Sequence, residues 1–174
     1  MLIRLVTIVS MGVALAQPRH GPPSGSGPGH GMMNDEDHHA DMQGFMFLLA
    51  HRAEIRRTVK EVAGGVETLT ESDVPEVAAG IQEHVAAMYR RMKEGRPIHA
   101  RDPLFAELFR RADKIAMKTE KTAKGLKVSE TSSDPYVTKL IRSHAEVVSA
   151  FLRNGHPEMM KSHPLPSAAS GASP

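Results

Sequence analysis

The sequence predicts an all-α protein: a four-helix bundle made of two tandem helix–linker–helix repeats, with room for a short two-stranded ribbon at one end. Three observations lead there. The chain repeats itself at an offset of 60 residues without a gap, residues 45–97 aligning on 105–157. Apolar residues in both halves recur at helical spacing. Glycines, prolines and capping residues fall at equivalent places in the two halves, where helices would start and stop. The identical pairs include Phe45/Phe105, Leu48/Leu108, Ile55/Ile115, Gly65/Gly125, Ser72/Ser132, Pro75/Pro135, His84/His144 and Gly95/Gly155. Two copies of one unit bury the same apolar face, so they are expected to pack about an approximate two-fold axis.

The elements follow in order. Residues 40–63 read as the first helix, with Leu48, Ile55, Val59 and Val62 on one face and Gly64-Gly65 as the stop. Residues 66–70 are short and β-branched and read as a strand or extended linker. The second helix opens at Asp73 with Pro75 just inside and Glu76 placed for a capping box. It ends at Gly95, a favoured left-handed cap. The second half repeats this plan. Asp102-Pro103 opens a helix with Phe105, Leu108, Ala112 and Ile115 on one face, and Gly125 closes it. Residues 126–130 form the matching extended piece, and a last helix runs from Ser133 or Asp134 to Gly155. A swap of one unit with a second chain would give a homodimer instead.

The flanks differ in kind. Residues 1–16 read as a secretory signal peptide, with Arg4 in the n-region, an apolar stretch from Leu5 to Leu15, and Ala14-Leu15-Ala16 as the cleavage site. That places the mature chain in a periplasm or outside the cell, with no further membrane span. Residues 17–40 are rich in Gly, Pro, His and Met and read as disordered, as does the tail 158–174. Both flanks are therefore expected to be dispensable for folding.

Composition excludes several chemistries. The chain has no cysteine, which removes disulfides, thiolate metal sites, covalently attached haem and cysteine nucleophiles. Net charge is +2 with no basic run interleaved with aromatics, so no nucleic-acid partner is expected. There is no glycine-rich phosphate loop, nucleophile elbow or zinc-protease motif, so no catalytic residue is assigned.

The functional clue is a pair of histidines. Val77, Ile81, His84, Met88 and Met92 follow one another at helical steps, which sets His84 inside an apolar stripe. His144 holds the same place among Val137, Ile141, Val148 and Phe151. His51 fits the stripe of the first helix, and Met88 adds a thioether one turn after His84. Imidazole binds copper, zinc, nickel or iron. The competing expectation is a core histidine whose ring nitrogens bond to helix neighbours. The flanks add mixed His/Met tracts: His30, Met32, Met33, His38, His39 and Met42 before the bundle, and His156, Met159, Met160 and His163 after it. Such tracts suit low-affinity copper capture, thioethers favouring Cu(I) and imidazoles Cu(II). The sequence thus points to an exported copper-handling or copper-sensing protein with His84, His144, His51 and Met88 as ligands. The alternatives are a non-covalent haem b electron-transfer protein with His84 and His144 as axial ligands, and a metal-free helical interaction module. In architecture alone, the expected bundle resembles small periplasmic four-helix proteins that hold haem or copper between helices.

Overall fold

The stretch 40–63, expected as one helix, is a helix followed by a strand. The structure is a computed structural model that describes residues 36–167. The signal peptide, His30, Met32, Met33 and residues 168–174 lie outside the described residues. Helix α1 (Glu36–Ala50) gives way to a single 3-10 turn, Arg52–Glu54, and then to strand β1 (Ile55–Val62). A two-residue turn at Ala63 and Gly64 leads into β2 (Gly65–Ser72), antiparallel to β1. Gly64 adopts φ +76°, a left-handed geometry that suits glycine. Helix α2 (Pro75–Glu94) closes the first half. The second half repeats the order: α3 (Pro103–Arg110), a 3-10 turn at Ala112–Lys114, β3 (Ala116–Thr122), β4 (Gly125–Thr131) and α4 (Pro135–Asn154), followed by the short α5 (His156–Met159).

The expected all-α bundle is therefore corrected: the chain is an α/β fold with a four-stranded antiparallel sheet in the order β1-β2-β4-β3 and five helices among the described residues. The physical reason lies in the spacing. Ile55 and Val59, like Ile115 and Thr119, are four residues apart, and a four-residue step places both side chains on one face of a helix and also on one face of a strand. Arg57 and Met117, midway between, share that face with them only in a strand. No glycine or proline marks the break at residue 51, where one 3-10 turn does the work.

The two halves meet at the centre of the sheet. In the β2–β4 pairing Thr68 lies opposite Val128, its own equivalent at offset 60. Val66 pairs with Glu130 while Thr70 pairs with Leu126, so each side of the join mirrors the other. The outer hairpins share one register, Thr58 opposite Leu69 and Lys118 opposite Ser129. Ser72 N donates to the Lys124 carbonyl and Ser132 N to the Gly64 carbonyl, both at 2.8 Å. These relations define a two-fold axis through the Thr68–Val128 pair.

Helices α2 and α4 lie across one face of the sheet, with α1 against α2 and α3 against α4. That face presents Val66, Thr68, Leu126, Val128 and Glu130, all buried. The opposite face carries Lys60, Glu67, Lys118, Glu120 and Lys127, with Lys127 and Glu67 3.1 Å apart. This is the division usual for an antiparallel sheet covered on one side. Core residues Leu49, Leu104, Leu108, Leu140 and Phe151 pack between α1, α3 and α4, while Leu48, Val77 and Ile81 pack on Leu126 and Val128. One buried ion pair ties α1 to α2: the wholly buried Arg91 donates to Asp41. None of the described helices is long and apolar enough to cross a membrane.

The C-terminal segment that reads as a tail is packed through His163. Its backbone N and its Nδ1 lie 3.0 and 2.6 Å from Asp102 Oδ2, and its Nε2 lies 3.2 Å from Glu158 Oε1. Asp102 also caps α3, accepting from Leu104 N at 2.9 Å. Hydrogen bonds from Lys161 first, then from Asn154 and His163, hold the Glu158 carboxyl well below the usual carboxylate range. Removing residues 160–174 leaves the buried Asp102 and Glu158 without His163. Truncation should therefore lower the unfolding free energy by about 2 kcal/mol, read from urea midpoints. An unchanged midpoint would mean that the latch adds nothing and the tail is dispensable after all.

Candidate functional site

His84 is placed by α2 and His144 by α4, at equivalent points either side of the two-fold axis. Both helices start the same way. Pro75 and Pro135 occupy the first turn, and Ser72 and Ser132 accept from the backbone N of the second residue on, at 3.2 and 3.1 Å. Asp73, expected to cap α2, is exposed and pairs instead with Arg56 and Lys124. Asp134 does cap α4.

Between the helices and the sheet lies one cavity of about 210 Å³. His84 and His144 both line it. Its walls are otherwise mostly apolar: Phe45 and Leu48 from α1, Ile81, Val85, Met88 and Met92 from α2, Phe105 and Phe109 from α3, and Val148 and Phe151 from α4. The floor is the sheet, contributing Arg57, Thr68, Thr70, Met117, Val128 and Glu130. Phe45 and Phe105, a repeat pair, stand by the histidine of their own half, with ring centroids 5.8 Å from His84 and 5.3 Å from His144. Phe151 bridges the two phenyl rings.

Neither imidazole makes a hydrogen bond among the described residues, and both Nδ1 atoms are buried without a partner. A core histidine whose nitrogens bond to helix neighbours is thus not what the cavity holds. Burial pushes both rings down to about 4. For His144 the Arg57 charge and then that of His84 add to the effect, while Asp41 pulls His84 slightly back up. Both rings are neutral at pH 7. An unsatisfied buried polar group costs about 1–3 kcal/mol, a cost that a ligand or a buried water at each ring would remove.

The other expected ligands separate. Met88 lines the cavity with His84. His51 does not; it is partly exposed, against Phe47, with Nδ1 2.9 Å from Glu54 Oε2. Of the flanking set, Met42 lines the cavity, Met159 packs on the core, His163 is held by Asp102 and Glu158, and His38, His39, His156 and Met160 are exposed. No three His, Asp or Glu side chains among the described residues are grouped to hold a metal ion. Arg57, Thr70, Met117 and Glu130, which belong to strands, and His99, on the turn after α2, also line the cavity and carry no signal in the sequence that marks them for it. His99 lines the cavity edge-on to Phe105 at 5.1 Å and has φ +57°.

No protein-family model, no curated protein and no solved structure matches this chain, so the reading of the site rests on its own geometry.

Proposed function

We propose that the cavity binds a flat apolar prosthetic group between the two imidazoles, with haem b as the group and His84 and His144 as its axial ligands, in an electron-carrying or haem-handling role. One observation carries this reading: two equivalent, neutral, unpartnered imidazoles face a single apolar cavity. A zinc ion needs three or four protein ligands converging within about 2.3 Å. Haem iron brings four ring nitrogens of its own and asks the protein for two axial donors and an apolar slot. The cavity is much larger than one ion requires. At about 210 Å³ it is about a third smaller than the low end of the ~300–1,000 Å³ of ordinary ligand pockets. A macrocycle therefore enters by displacing side chains, and the lining includes Met42, Met88, Met92 and Met117, whose unbranched thioethers rearrange at low cost.

Those four thioethers also favour the second reading, Cu(I) held by His84, His144 and Met88, since soft sulfur selects that ion. Titration with haemin and, separately, with Cu(I) against a chromophoric competitor distinguishes the two. Haem binding should give a sharpened Soret band and the spectrum of a six-coordinate bis-imidazole complex. His84→Ala and His144→Ala should each weaken haemin binding by at least ~10-fold, whereas His51→Ala should not. Haemin that stays unbound while one equivalent of Cu(I) is retained, and lost in the same two variants, would replace the haem reading with the copper one.

A further inference from the structure

The cavity is symmetric in its histidines and asymmetric in its charge. Arg57 on β1 faces the helices, and its repeat equivalent on β3 is Met117. Thr70 on β2 has Glu130 as its equivalent on β4. One end of the floor thus carries a guanidinium beside a hydroxyl, and the other a thioether beside a carboxyl. Arg57 Nη1 donates to Thr70 Oγ1 at 2.8 Å. Its Nε is buried with no partner, and Arg57 makes no ion pair among the described residues. Glu130 lies on the same floor and feels the Arg57 charge, yet it makes no hydrogen bond or ion pair there; burial raises its pKa. A half-buried guanidinium whose Nε is unpartnered, held by one neutral acceptor, is a costly arrangement. Elsewhere the chain pairs its arginines readily, as in Arg91 with Asp41 and Arg110 with Glu107. The cation that lines the ligand cavity makes no ion pair with a carboxylate among the described residues, and Glu130 acts on it only through its charge.

We propose that Arg57 receives a carboxylate of the bound molecule, so that the ligand is an acid with an apolar ring body, seated in one orientation with its acidic edge toward β1 and β2. This rests on the reading of the cavity as a prosthetic-group site. In haem b the carboxylates are the propionates. Thr70 holds the guanidinium in place, and Met117 leaves the opposite end without a competing cation. A charge-assisted, fork-shaped contact of this kind is the arrangement arginine makes best.

The test compares haemin with haemin dimethyl ester, in which both carboxylates are masked, on the full chain. Wild type should bind the free acid at least ~10-fold tighter than the ester. Arg57→Met, which copies the residue of the other half, should bring the two affinities within about 2-fold by weakening only the acid. Arg57→Lys should restore part of the preference, and Lys118→Gln, on the opposite face of the sheet, should leave it in place. Circular dichroism and thermal unfolding check that each variant folds; should Arg57→Met not fold, Arg57→Gln replaces it in the same comparison. An acid-to-ester ratio equal in wild type and variant overturns the role of Arg57 while leaving the histidine site standing. Failure of wild type to shift the Soret band of either compound removes the haem reading itself and the Arg57 proposal with it.

Discussion

Gly65→Ala should lower the unfolding free energy by about 3 kcal/mol or more. A Cβ at residue 65 would lie 1.9 Å from the Glu130 carbonyl oxygen, and one at residue 125 would lie 2.1 Å from the Thr70 carbonyl oxygen. In both cases the obstacle is backbone, so no rotamer change relieves it. The strands must separate, and β2–β4 is the only strand pairing between the two halves among the described residues. Overpacking with no flexible neighbour costs about 3 kcal/mol or more, against a total stability on the order of 5–15 kcal/mol. Gly125→Ala should do the same, with an added penalty from φ +157°. The control is Gly44→Ala: nothing lies within 4 Å of its Cβ, the residue sits inside α1, and the change should stabilise by up to about 1 kcal/mol. Circular dichroism and urea unfolding of the three variants decide the matter. A Gly65→Ala protein that unfolds at the wild-type midpoint would show that β2 and β4 do not approach as described.

The second large effect is acid destabilisation with a defined window. His84 and His144 titrate at about 4 in the folded chain and near 6.5 when unfolded. Because the folded values are depressed, the unfolded chain takes up protons first as pH falls. Stability is full above about 6.5, declines between about 6.5 and 4, and is constant with respect to these groups below that. Each histidine accounts for at most about 3 kcal/mol, and the pair for about 6. The depressed carboxyls Asp134 and Glu158 act in a lower window, as they protonate below the ordinary carboxylate range. Glu130, raised by burial, acts with the opposite sign, favouring the fold below about 4.5 and weighing against it above. Urea midpoints measured from pH 7.5 to 4.5 should fall steeply, and the slope should flatten in His84→Leu/His144→Leu. An identical slope in that double variant would place the acid sensitivity elsewhere.

Much of the duplication was legible in the sequence, because the repeat is ungapped and Gly65/Gly125, Ser72/Ser132, Pro75/Pro135 and His84/His144 mark equivalent joints. Each glycine pair reads as a stop signal, though, and only the sheet reveals that Gly65 and Gly125 are required by close backbone approach. The strands β1 and β3 were not legible as strands. Their polar alternation is interrupted by charges suited to an exposed sheet edge, and the apolar residues that remain fit a helix equally well. That error hid half the site. Histidines on long amphipathic helices stand out in a sequence, whereas Arg57 and Glu130 look like ordinary charges until the pleat turns them inward. His163 was read as a flanking copper ligand, and its packing role was hidden because its partners Asp102 and Glu158 lie on different elements, 61 and 5 residues away, and no local pattern joins them.

The self-equivalent pairing of Thr68 with Val128 has a consequence for how such a cavity can acquire direction. A single half, paired with an identical copy through the same register, would build the same sheet and bring two histidines to one cavity. In that homodimer both ends of the floor would have to be alike: two arginines or two methionines, two threonines or two glutamates. A symmetric container offers a lopsided guest two equal seats. Fusing the halves into one chain removes that restriction, because each copy can then change alone. The difference between Arg57 and Met117 is available only to the fused form, and it gives the guest a head and a tail.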